Sequence, residues 1–369
     1  MICAPGLWAP ALTRTPDDAL CVAVGVEAAG RAAYTFPEVG VSRAFSLPRA
    51  RGEVGLHYGD HVGARVALAA VRTGGDDGYL GIDGETIVAS VVVAEARVAA
   101  PRLGLGAGAG LVDDPWTVGS EQAFGLRDVA ACWGEELGVM DRSDLGAWLG
   151  WTSPGARFAA RLDLSTGEGA HFRERNDGKN IAGSITARPF ASDALVVSLY
   201  ARDGSRGLAL ARDHRVGARI SGGYGPVEAG VEALAAFGAA GDATRAPVLG
   251  SAWVEARPWG PLLAFGRLDL ASEDLSDAEA GTRVARAGLG VEVFERRGRV
   301  LVGWEGRAAG THVVSVAGAE ALTREDTLYA QLSVVIDVRA PIHTERRPDL
   351  ALDAPAPPGG GTPKEEVRE

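Results

Sequence analysis

The chain has 369 residues, a formal net charge of −11 and 51 glycines, with only 6% aromatic residues. Its basic charge is almost entirely arginine, with lysine only at Lys179 and Lys364, and the acidic balance argues against a nucleic-acid partner that needs a basic face. No window approaches the ~18 consecutive apolar residues of a membrane-spanning helix, which excludes a helical membrane protein and leaves a β-barrel open.

In chain order, residues 1–18 form an N-terminal segment without a basic n-region, and Pro5 and Pro10 break its short apolar run, so no secretory signal is visible. From residue 19 onward apolar and polar residues alternate, as in a strand with one apolar face. Segments at 20 to 28, 53 to 58 and 62 to 72 open the series. Residues 91 to 99 then set Ala94, Ala96 and Val98 against Glu95 and Arg97. The run "LGLGAGAGLV" (103 to 112) reads as a smooth fifth strand. Residues 113 to 144 interrupt the rhythm: they are too long for a hairpin turn, and their 121 to 139 portion mixes helix formers with three glycines, which predicts a loop carrying a short helix, of the length that is usually functional or disordered.

Strands resume at 145 to 152 and at 156 to 165, where Phe158, Ala160, Leu162 and Leu164 oppose Arg157, Arg161, Asp163 and Ser165. They continue at 181 to 188, 195 to 202, 215 to 221, 227 to 233, 251 to 257, 262 to 270, 283 to 294 and 299 to 308. In the last, 329 to 340, Ala330, Leu332, Val334, Ile336 and Val338 share one parity, and Tyr329, Gln331, Ser333, Asp337 and Arg339 share the other. Residues 341–369, rich in proline and glycine, are expected to be a flexible tail.

This gives about 16 strands, within the even-numbered range of outer-membrane barrels. Lipid offers no hydrogen-bond partners, so an extended chain spans a bilayer only as a closed sheet, with charges cheap on the watery face alone. A soluble sandwich alternates too, but its strands usually stop at ~5 or 6 residues. The expected fold is therefore all-β: a closed antiparallel transmembrane barrel over 19–340 with one long loop.

No residue pattern supports an enzyme. No GxSxG, GK[ST] or HExxH occurs, and the glycines at 104 to 110 miss the GxGxxG spacing. His57 and His61 flank a hairpin tip rather than share a helical face, and the segment 167 to 180 reads as a solvated hairpin loop rather than a calcium loop. Cys3, Cys21 and Cys132 are odd in number and far apart, so no disulfide framework or metal site is expected. No catalytic residue, cofactor or metal is expected.

The stretches "RSDLGAWLGWTSPG" (142 to 155), "STGEGAHFRERNDGKN" (165 to 180) and "ARPF" (187 to 190), with the upstream strands at 44 to 68 and 91 to 116, resemble the phosphate-selective porin-like family of bacterial outer-membrane barrels. The resemblance implies a 16-stranded channel, a homotrimer, outer-membrane lipid around it, and passage of small solutes or ions. It also implies that the loop after the fifth strand folds into the pore. The candidate constriction residues on that loop are Asp113, Asp114, Glu121, Arg127, Asp128, Glu135, Glu136, Asp141, Arg142 and Asp144. The candidate wall residues are Arg49, Arg65, Glu95, Arg97, Arg157, Arg161, Arg188, Arg257 and Arg307.

Eight acids against two arginines depart from the basic constriction of an anion funnel. A general or weakly selective passive pore is expected. The alternatives are a non-conducting barrel with a structural or surface-binding role, and a soluble β-sandwich binding module.

Overall fold

The computed structural model describes residues 20–37, 41–73, 86–169, 178–190, 193–206, 210–239, 244–272, 281–294, 297–309 and 324–342. The N-terminal segment 1–18 and the tail 343–369 lie outside them, as does most of the segment 167 to 180. The first nine strands are β1 (Leu20–Pro37), β2 (Ser42–Tyr58), β3 (Val62–Thr73), β4 (Thr86–Ala100), β5 (Leu105–Asp113), β6 (Ser143–Thr152), β7 (Phe158–Ser165), β8 (Asn180–Ala187) and β9 (Val196–Asp203). After a two-residue hairpin, β10 (Ser205–Arg206) with β11 (Ala211–Arg212), come β12 (His214–Tyr224), β13 (Val227–Phe237), β14 (Val248–Ala256), β15 (Leu262–Ser272), β16 (Gly281–Val293), β17 (Gly298–Ala309) and β18 (Arg324–Ile342).

All but β10 and β11 join one closed antiparallel barrel of 16 strands. Closure is made by β1, which pairs with β2 on one side and β18 on the other, Gly25 facing Asp337 and Ala29 facing Ser333. The last strand runs past the expected end at Ala340 to Ile342, opposite Leu20. A single sheet closed on itself replaces the two packed sheets of the sandwich alternative, and no edge is left to pair.

Alternation becomes two surfaces. On β18, Leu332 is 57% exposed while its neighbour Gln331 is 2% exposed, and Leu328, Val334 and Ile336 join the outward row. The same holds on β7, where Phe158, Leu162 and Leu164 face out and Asp163 is buried inside. Exposed aromatics stand toward both ends: Tyr34, Phe36, Phe45 and Phe237 at one, and Tyr58, Trp151, Phe158, Tyr224 and Trp259 near the turns 59–61, 153–157, 225–226 and 257–261 at the other. The connections at this end are short, whereas those at the other end include the 114–142 and 204–213 segments. At Gly104 in one short turn φ is +66°, and a Cβ would lie 2.0 Å from the Thr152 carbonyl oxygen, so only glycine fits.

The long segment carries two helices, α1 (Pro115–Ala123) and α2 (Trp133–Glu136). Asp114 caps α1 by accepting from the Trp116 and Thr117 N–H groups, and Pro115 takes the first position, where no donor is needed. The expected short helix therefore begins earlier than the stretch from 121.

Candidate pore constriction

The 114–142 loop lies against the inner face of the barrel. Phe124, Leu126, Val129 and Ala130 pack on Trp253, Leu263, Phe265, Leu301 and Tyr329 of β14, β15, β17 and β18. Trp116, Cys132, Trp133, Val139 and Met140 pack on Tyr200, Leu234, Ala236, Leu249 and Val284. Full burial of a large apolar side chain contributes about 1.5–3 kcal/mol, so these clusters supply a large apolar anchor. Among these wall residues, Tyr329 stands on the parity that the sequence reading gave to polar residues. The available signal was large apolar and aromatic residues recurring on the charged parity of β14 to β18.

Polar contacts fix the register of this packing. Trp133 Nε1 donates to the Leu270 carbonyl at 2.9 Å, Trp253 Nε1 to that of Ala123 at 3.2 Å, and Arg215 Nε to that of Val139 at 3.0 Å. Ser120 Oγ donates to the Glu232 carboxylate at 2.6 Å, and the Tyr200 hydroxyl to Asp114 at 2.8 Å. Buried carbonyls and carboxylates left without these donors would each cost about 1–3 kcal/mol.

Toward β1 and β2 the loop ends in charge pairs. Arg142 donates to both oxygens of Glu121 at 2.6 and 2.9 Å, and Arg49 reaches the same carboxylate at 3.0 Å while also holding Glu27 at 2.8 Å. Arg127 comes from the loop to Glu27 at 2.9 Å. Burial alone would raise the Glu121 carboxyl, but the guanidinium groups of Arg142 and Arg49 overcome it and hold it at about 2. Glu135 goes the other way: burial raises its carboxyl, and Arg142, 3.6 Å away, only partly opposes this.

The remaining candidate acids are also engaged. Asp113 accepts from Arg65 at 2.7 Å, Asp128 from Arg299 at 2.8 Å, Glu136 from Arg286 at 2.8 Å, and Asp141 from Arg206 at 2.9 Å. Asp114 serves as a helix cap. Asp144 accepts from the Thr166 hydroxyl and the Gly167 N–H, holding the start of β6 to the chain beyond β7. Asp113, Glu121, Asp128 and Glu136 are thus paired with wall guanidinium groups distant in sequence.

The stretch of wall from β3 to β7 faces this anchored loop. There Arg65 Nε and Trp148 Nε1 both donate to Glu95, Arg161 holds Asp163, and Arg161 lies over the Trp148 ring at 5.0 Å. Gly108 lets the indole lie against the wall, since a Cβ there would sit 2.5 Å from Trp148 Nε1 and 2.7 Å from Glu95 Oε1. Arg97 Nη2 lies 2.9 Å from His57 Nδ1, which turns His57 into the lumen rather than into a solvated hairpin tip; His61 is exposed.

Three expected wall residues stand elsewhere. Arg157 is exposed in the turn between β6 and β7, and Arg188 pairs with Asp193 in the exposed turn after β8. Arg307 is 47% exposed beside Glu305, near the end of β17. Arg157 and Arg188 lie in turns just beyond a strand, and Arg307 stands two residues before the end of β17. Arg257 stays inside, between Glu255 and Glu292. The sequence reading set Arg161 and Asp163 on one face; their pairing, repeated at Arg51/Glu53, Glu255/Arg257 and Arg267/Asp269, was not visible in it.

No protein-family model and no curated protein sequence matches the chain. Solved structures do. An anion-selective porin from Comamonas acidovorans superposes with a TM-score of 0.62 at 11% identity, covering 86% of this chain and 100% of that one. Salmonella typhi OmpF, solved in complex with daunomycin, gives 0.63 at 10% identity over 88% and 100%. The outer-membrane channel DcaP of Acinetobacter baumannii gives 0.57 at 10% identity over 86% and 98%. At such identities the likeness is one of fold: a porin-like barrel.

Proposed function

We propose that the chain is a porin-like passive diffusion channel of a bacterial outer membrane, passing small hydrophilic solutes or ions between the 114–142 loop and the β3 to β7 wall. The observation that carries this reading is the loop itself, which a closed barrel with an apolar outer face holds against one side of a charged lumen. An outward apolar band with aromatics toward both ends suits a bilayer, and the inward row suits water. The mechanism is size filtering plus electrostatics, with no reaction and no cofactor. Lipid surrounds the barrel, and homotrimer assembly is part of the proposal.

The phosphate preference of the family that the sequence resembles is not carried over, because the constriction arginines already hold carboxylates. Planar-bilayer recording tests the reading: discrete current steps are expected from the folded protein, and a folded barrel that never conducts overturns it. That outcome would favour a non-conducting structural barrel, the reading that the tight contact of Glu121 with Arg49 and Arg142 supports.

A further inference from the structure

On the wall from β2 to β7, charge comes in doublets. Arg51 and Glu53 on β2, Glu95 and Arg97 on β4, and Arg161 and Asp163 on β7 are each two residues apart, so the strand pleat turns both members inward, with Cα atoms ~6.8 Å apart. Arg51 donates to Glu53 at 3.1 Å and Arg161 to Asp163 at 2.9 Å, while Glu95 is held by Arg65 at 3.0 Å. On the loop side Glu121 is likewise held by Arg142 and Arg49. Among the described residues the passage is thus lined by cation and anion side by side.

We propose, resting on the channel reading above, that this compensated lining favours small zwitterionic solutes over ions of a single sign. The field of a close ion pair falls off faster than that of a lone charge, so a monovalent ion gains little from the wall unless it displaces one member of a doublet. Displacement leaves the other member desolvated and unpaired, which is costly in a partly buried site. A zwitterion escapes this conflict. It lies antiparallel to a doublet, its ammonium toward Asp163 and its carboxylate toward Arg161, and adds hydrogen bonds without breaking the existing one. Arg161, with a quarter of its side chain exposed, is the accessible member of its doublet.

The test uses the full chain in proteoliposomes with three probes of similar size: β-alanine (zwitterion), propionate (anion) and propylammonium (cation). β-Alanine is expected to enter at least about threefold faster than either ion, and the K⁺/Cl⁻ permeability ratio to lie within about twofold of unity. An open pore through which propionate or propylammonium enters as fast as β-alanine, or whose ratio exceeds about fivefold, overturns this inference and leaves the channel reading standing. A folded barrel passing neither current nor probe overturns both. Splitting one doublet supplies the second arm: Arg161→Gln is expected to shift preference toward propylammonium and Asp163→Asn toward propionate. If either variant, shown to be folded by a heat-dependent shift in gel mobility, keeps the unmodified preference, the lining does not set it. The two substitutions are read separately, so one that fails to fold leaves the other to decide.

Discussion

Glu121 lies within α1 and Arg142 at the far end of the inward loop, yet Arg142 donates to both carboxylate oxygens of Glu121, at 2.6 and 2.9 Å. The pair closes the loop on itself, and Arg49 ties the same carboxylate to β2. Replacing the carboxylate in Glu121→Gln leaves two guanidinium groups facing each other in a buried site. Breaking one side of a buried pair costs about 3–5 kcal/mol, so the loop should open locally and single-channel recordings should become noisier with larger substates. Quiet traces of unchanged conductance would show that the pair does not hold the constriction.

The same carboxylate sets a pH limit. Its ordinary value of 4.5 falls to about 2 in the folded loop, so its contribution is fully present above 4.5 and is lost as pH falls through about 2. Conductance noise should be the same at pH 7 and pH 5 and rise only as pH approaches about 2; a rise centred near 4.5 would contradict the assignment. Glu135 has the opposite sign, since burial raises its carboxyl and protonation removes a buried charge. Glu135→Gln should therefore be neutral or mildly stabilising at neutral pH in a denaturant titration of loop opening.

Removing residues 117–139 takes away the apolar block that lies on Trp253, Phe265 and Tyr329. Unit conductance should rise about twofold or more if this loop narrows the passage. Planar-bilayer recordings of the deleted and intact barrels make the comparison, and an equal value would count against the loop's role.

The outer row is tested by charge. Arginine in place of Leu332, 57% exposed on the outward face of β18, should cost about 2–4 kcal/mol of barrel stability in a lipid-embedded unfolding titration. The value should fall toward zero if that face meets water.

Gly108 is a packing test. Gly108→Ala would set a methyl 2.5 Å from Trp148 Nε1, forcing the indole off Glu95 at a cost of about 1–3 kcal/mol. A lower temperature for the gel-mobility shift is the expected readout, and an unchanged one would show that the wall yields freely there.

Sequence by itself favoured the barrel over a soluble sandwich. Alternation carried over long segments, with Arg, Glu and Asp on one parity, leaves a closed sheet as the solution that satisfies every backbone group, and the period of two assigns Leu332 and Gln331 to opposite faces without a structure. It also marked the loop after the fifth strand, because a segment as long as 113 to 144 breaks the strand rhythm. Height along the barrel was not visible: parity gives the side a residue faces but not how far up the wall it stands, so Arg157, Arg188 and Arg307 were read as pore wall and stand at strand ends. Nor was pairing visible. The acids of the loop meet Arg49, Arg65, Arg286 and Arg299, residues far from them in sequence, and only closure of the sheet brings these groups within hydrogen-bond reach. Charge sign is a local property of the chain; the field inside the lumen depends on distances that only the tertiary structure decides.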